Sequence, residues 1–264
     1  MTLLATAPRP ALTLRRTAET PCLELDVARA VARLRRLAGA IPGATVHHTV
    51  EGDPHPALLA SLVAAGGSFS VETPPKLRAC LAAGAPEDSL VHGRLAGGED
   101  TARGDCLAEA ARLGVRRFVV DSDLDCRTVA EVAPGSAVLV RVSRGQAGTG
   151  GCTPTEAVSV LVGAARLGLD AAGVSVDVGA ERLNPVAWRA PIAVASSIFT
   201  ALRKAGHRPW LMGVGGGLPA THENGAPPAS LFAAAIDRAL RQEFGIERPQ
   251  TLVELGRALG VTAA

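Results

Sequence analysis

The sequence predicts a (β/α)₈ barrel, and three observations carry that expectation. Short β-branched apolar runs alternate with Ala- and Leu-rich amphipathic runs, the rhythm of a parallel sheet covered by helices. Eight apolar runs of strand length follow one another along the chain. The length, 264 residues, is near the roughly 250 typical of one such barrel.

Residues 1–20 read as an N-terminal tail and residues 21–264 as one barrel domain. The first strand is expected at Thr45–Val50, followed by a helical run over Pro54–Ala65. The second is expected at Ser68–Val71, with a helix over Pro75–Ala83, and the third at Leu90–Gly93, with a helix over Thr101–Leu113. The fourth and fifth strands are Arg117–Val120 and Ala137–Val142, and the sixth is Gly173–Asp177. A long helical run, Pro185–Ala205, leads to a seventh strand at Pro209–Val214. Another, Pro228–Phe244, leads to the eighth at Thr251–Glu254. Prolines open several of these helices, where the missing N–H costs nothing. Gly66, Gly84, Gly114, Gly168 and Gly206 follow helical runs, as expected of helix-ending glycines. Too few residues follow the eighth strand for a full eighth helix after it.

Composition narrows the function. The chain is 47% hydrophobic and 20% charged, ordinary for a globular domain. A net charge of +2 argues against a dedicated nucleic-acid binder. Five widely spaced cysteines, with no C-x-x-C pair, fit reduced thiols better than a disulfide framework or a zinc site. No apolar run reaches the roughly 20 residues of a membrane span, and the N-terminus does not read as a signal peptide. The expected location is the cytoplasm. Only Lys76 and Lys204 can supply a lysine amine.

In a barrel of this kind the chemistry lies at the C-terminal ends of the strands. The candidates there are Glu51, Asp53, Ser70, Glu72, His92, Arg94, Asp121, Arg141, Asp177, Gly215–Gly217, Glu254 and Arg257. Gly215-Gly216-Gly217-Leu218-Pro219 directly follows an apolar strand, and its bare backbone N–H groups could approach a phosphate. The same glycines could serve a plain tight turn. Arg257, after the next strand, favours the phosphate reading, since an arginine can grip phosphate through two hydrogen bonds. His47, His48 and His92 with nearby carboxylates raise a metal site. Successive strand residues face opposite sides, so only His47 shares the inward parity of Glu51, and no metal is expected.

These segments, in this order, resemble the barrel domain of fold-type III pyridoxal-phosphate enzymes, the ornithine, diaminopimelate and arginine decarboxylase group, which has single-domain relatives of the alanine-racemase type that keep the lysine. The resemblance runs from Thr20 to about Ala264. It is carried by Thr20–Asp26, Ser68–Glu72, Phe118–Ser122, Val138–Val142, Gly173–Gly179, the Gly-Gly-Gly-x-Pro turn and Val253–Arg257. It implies that Arg141, Gly215, Gly216, Gly217, Glu254, Gly256 and Arg257 contact the cofactor's phosphate or ring, with Glu254 facing the pyridine nitrogen. The departures matter more. Glu51 stands at the Schiff-base lysine position, and a carboxylate cannot form an imine. Asp177 stands where the family stacks a histidine on the ring, and an aspartate has no aromatic face. Ala180, Ser70 and Lys76 stand where the family has a serine, an aspartate and often a glutamate. The family's C-terminal β-domain is absent from this sequence.

The expectation is a decarboxylase-like barrel without Schiff-base catalysis. It would bind a small phosphorylated or amino-acid ligand, or form a homodimer or a heteromer with an intact decarboxylase paralogue. Pyridoxal phosphate, if held, would be held without a covalent link. Two alternatives are a repurposed enzyme using Glu51 and Asp177, and an active pyridoxal-phosphate enzyme whose imine forms on Lys76.

Overall fold

The computed structural model describes residues 26–50, 55–93, 100–142, 151–177, 184–215 and 227–254, with side chains from 104 onward in the third of these stretches. Eight parallel strands close on one another in sequence order. They are β1 (Ala44–Thr49), β2 (Ser68–Val71), β3 (Leu90–His92), β4 (Arg117–Val120), β5 (Ala137–Arg141), β6 (Asp170–Asp177), β7 (Leu211–Gly215) and β8 (Gln250–Glu254). Each stands where the apolar run predicts it, although β6 begins three residues early, at Asp170. The closing seam pairs His47 of β1 with Glu254 of β8.

The helices are α1 (Val27–Ala40), α2 (Pro56–Ala64), α3 (Pro74–Ala82), α4 (Asp100–Arg112), α5 (Asp123–Val132), α6 (Pro154–Arg166), α7 (Arg189–Lys204) and α8 (Ala229–Phe244). The apolar pattern passes over α1 and α5. Both carry legible caps: the Asp26 carboxylate accepts from the Arg29 N–H at 2.8 Å, and the Ser122 hydroxyl accepts from the Asp125 N–H at 3.2 Å. At α6, Thr153 and Glu156 form a reciprocal capping box with Pro154 at the first turn. The run expected from Pro185 splits into a 3₁₀ turn, Pro185–Trp188, and α7.

The eight described helices include α1, which the apolar runs of the sequence did not mark. This helix precedes β1 and packs between α8 and α2. It inserts Ala30, Leu34 and Leu37 into the core. The outer face of β1 is thus covered by a helix that precedes the strand.

Alternation along the strands divides the core in two. Outward residues such as Val46, Phe69, Phe118, Val138, Val174, Met212 and Val253 join the helices in one cluster. Inward residues Val91, Val119, Ala137, Leu139, Ala172, Leu211 and Leu252 form a second, smaller cluster that plugs the barrel. Residues nearer the C-terminal ends of the strands are polar. The stretch Pro185–Lys204 is long and apolar enough to cross a membrane. Here it turns Ile192, Ala195, Ile198, Phe199 and Leu202 into the barrel's outer core.

Candidate functional site

Above the apolar plug the barrel opens into a cavity of about 180 Å³. Val119 forms its floor, and Thr49, Ser70, Glu72, Gly93, Arg141, Ser175, Asp177, Gly215 and Glu254 line it. Seven of the eight strands end in it or turn a residue toward it. This is the C-terminal face, where the barrel's active sites belong.

Glu254 is the centre of the cavity's electrostatics. The Ser70 hydroxyl donates to its Oε1 at 2.6 Å. The carboxyl sits deep in the barrel mouth, and this burial pushes its pKa above the ordinary carboxylate value. The Ser70 hydrogen bond pulls it back, while the charges of Asp177 and Glu72 push it further up. A neighbouring glycine makes room: a methyl group on Gly215 would fall 2.5 Å from Glu254 Oε2. Gly213, one layer down on β7, is bare for a like reason, since a Cβ there would fall 2.8 Å from Ser175 Oγ.

Arg141 reaches the cavity from the end of β5 and grips Asp121 through two hydrogen bonds, Nε to Oδ1 at 3.0 Å and Nη2 to Oδ2 at 3.2 Å. Asp121 is held in turn, its N–H donating to Asp125 Oδ2 at 2.8 Å. The Cys152 thiol donates to the Asp121 carbonyl at 3.0 Å. Burial pushes that thiol up to about 11, which keeps it protonated and unreactive as a nucleophile at neutral pH.

Of the residues singled out in the sequence, the fold brings Ser70, Glu72, Arg141, Asp177, Gly215 and Glu254 together. Glu51, Asp53, Arg94, Gly216, Gly217, Gly256 and Arg257 lie outside the described residues. His92 is corrected: its ring lies 6.0 Å from that of Phe118, on the outward side of the strand, and does not line the cavity. His48 likewise packs against Phe69. His47 faces inward below Thr49, and burial pushes its pKa down to about 4. Among the described residues, no three His, Cys, Asp or Glu side chains are grouped to hold a metal.

Lys76, in the first turn of α3, is not among the residues lining the cavity. Its Nζ is 3.7 Å from Glu72 Oε2, an i,i+4 ion pair. Lys204 ends α7 and is exposed on the outer ring. Thr49, Ser175 and Gly93 also line the cavity and went unnoticed in the sequence. Strand parity finds them: Thr49 lies opposite Ser70, and Ser175 opposite Arg141.

The comparisons agree with this geometry. Residues 27–261 match the family model described as "Pyridoxal-dependent decarboxylase, pyridoxal binding domain". The chain is 28% identical to a lysine/ornithine decarboxylase of Selenomonas ruminantium over 84% of its own length and 57% of the relative's. It is 27% identical to a diaminopimelate decarboxylase of Zymomonas mobilis over 81% of itself and 55% of that protein. It therefore spans a little over half the length of these relatives. The lysine/ornithine decarboxylase of Vibrio vulnificus, solved with putrescine, superposes with a TM-score of 0.80 at 25% identity, covering 91% of this chain and 64% of that one. Arginine decarboxylase of the Paramecium bursaria Chlorella virus shares the fold at 20% identity, with a TM-score of 0.77 over 88% of this chain and 63% of that one. A closed parallel barrel with a glycine-lined, carboxylate-bearing mouth thus places this chain in the family of pyridoxal-dependent decarboxylases, as their pyridoxal-binding domain.

Proposed function

We propose that this barrel is a non-catalytic member of its family, which binds a small phosphorylated or amino-acid-like ligand, or a partner subunit, without pyridoxal-phosphate Schiff-base chemistry. The observation that carries the reading is the supply of amines. The chain has two lysines; Lys76 pairs with Glu72 at the edge of the cavity and does not itself line it, and Lys204 stands on the outer ring. An imine needs an amine at the aldehyde carbon before any question of pKa arises.

Pyridoxal phosphate fits this mouth in one respect and fails in another. Glu254, backed by Ser70, presents a carboxyl to a ring nitrogen, and Gly215 leaves room beside it. The residue at the Schiff-base position is Glu51, and the cavity is lined by carboxylates, one arginine and hydroxyls with no lysine among them. Loss of the covalent link leaves binding, and the natural setting is cytoplasmic, as a homodimer or beside an intact decarboxylase paralogue.

The test is titration of the purified protein with pyridoxal phosphate, followed by an absorbance scan and borohydride reduction. The expected result is no reduced adduct on Lys76 or Lys204 by peptide mass mapping, and no release of carbon dioxide from lysine, ornithine or diaminopimelate. An imine band fixed by borohydride and removed by Lys76→Ala would overturn the proposal in favour of the relocated lysine. A second reading has one observation behind it. Glu72, Asp177 and Glu254 converge on the cavity, and burial, with the charges of Asp177 and Glu72 added to it, raises the pKa of Glu254. A repurposed enzyme of that kind would lose turnover on Asp177→Ala or Glu51→Ala.

A further inference from the structure

On the opposite face of the barrel, the loops entering β7 and β8 flank a second, open cleft of about 670 Å³. Arg203, His207, Arg208, Trp210, Glu247 and Arg248 supply its polar and aromatic lining. Part of this set has a structural explanation. Arg203 pairs with Glu247 at 2.9 Å and ties the two loops together. Arg248 pairs with the buried Asp237 at 2.9 Å and anchors its loop to α8. The Trp210 indole N–H donates to Asp170 Oδ2 at 2.9 Å, which fixes the ring's orientation.

The structural account leaves three groups over. Arg208 is exposed and makes no ion pair or side-chain hydrogen bond among the described residues. Half-buried His207 stands beside it. Trp210 packs in part against the apolar plug, holds its hydrogen bond at the ring edge and remains partly exposed in the cleft, whereas the chain's other tryptophan, Trp188, is buried in the core. An unpaired guanidinium binds phosphate or carboxylate through paired hydrogen bonds. An oriented indole offers a planar ring its face or edge. The cleft's volume falls in the roughly 300–1,000 Å³ range of small-molecule sites.

We propose that this cleft is a binding site for a small planar aromatic anion. The ring packs against Trp210, and the phosphate or carboxylate is held by Arg208 with His207 beside it. The site lies at the far end of the barrel from the cavity described above. It does not depend on the function proposed for that cavity.

The chain has no tyrosine, so its ultraviolet emission comes from Trp188 and Trp210 alone. The experiment is titration of that emission in the full chain with phenyl phosphate and, separately, with benzoate. A saturating change at about millimolar concentration or below is expected with at least one probe, and the better probe identifies the anion. Trp210→Phe should abolish the change. Arg208→Ala, an exposed substitution whose folding is checked by circular dichroism, should weaken binding at least about tenfold. Leu124→Ala, an exposed substitution at the other end of the barrel, should leave the affinity as it was. A linear response like that of free tryptophan would overturn the proposal. So would undiminished affinity in Arg208→Ala, or binding that Leu124→Ala removes.

Discussion

Glu254 is held where its charged form is least welcome, inside the barrel and facing two other carboxylates. A raised pKa means that the folded state holds the proton more tightly than the unfolded chain, so ionisation at neutral pH works against the fold. Glu254→Gln keeps the size and can still accept from Ser70 while removing the charge. The expected outcome is a Tm a few degrees higher at pH 7 by calorimetry, with the gain shrinking as pH falls and the wild-type carboxyl takes up its proton. A lower Tm at neutral pH would show that Glu254 is compensated by something other than Ser70. The same substitution should weaken any ligand that offers Glu254 an N–H, which marks the residue as kept for binding at some cost in stability. Glu254 was legible from the sequence as a strand-end carboxylate. Its partner Ser70 is 184 residues away, and no local pattern links the two.

At the scale of elements, the eight strands were legible because a parallel strand buried on both faces must be apolar along most of its length. The helix α1 was not, because the apolar rhythm was read from each barrel strand to the helix that follows it, and α1 precedes β1. Its place between α8 and α2 is a consequence of closure. The β5–β6 pairing carries an irregularity that alternation does not reveal. The register shifts between Val138 and Leu139, where Gly173 takes a φ of +154°. A side chain on Gly173 would collide with the Leu211 carbonyl and crowd Phe199. Gly173→Ala is expected to destabilise the barrel by about 3 kcal/mol or more, since neighbouring backbone must move. Denaturant titration measures this; a loss under about 1 kcal/mol would mean that the pairing can slide to accommodate it.

For the whole molecule, the buried imidazoles set an acid limit. Burial pushes His47 and His48 from 6.5 down to about 4. Between those values the unfolded chain binds protons that the folded chain refuses, so stability falls as pH drops through that window and is fully present above it. Each ring accounts for at most about 3 kcal/mol of loss, at 1.36 kcal/mol per unit. Chemical unfolding at pH 7, 5.5 and 4.5 should show the decline. His48→Leu, which suits the apolar contact with Phe69, should reduce its slope. A flat profile would show that these rings are already solvated or paired in the fold.

By itself the sequence determined the eight strands, the carboxylate Glu254 and the scarcity of lysine, because each depends on local periodicity or simple residue identity. Only the tertiary structure decided that Ser70 meets Glu254, that Arg141 is engaged by Asp121, that Lys76 is turned to Glu72 and that α1 completes the ring. Those outcomes depend on which inward-facing residues share a layer of the closed barrel. Layering is set by the stagger of eight strands at once, a quantity that no single segment contains.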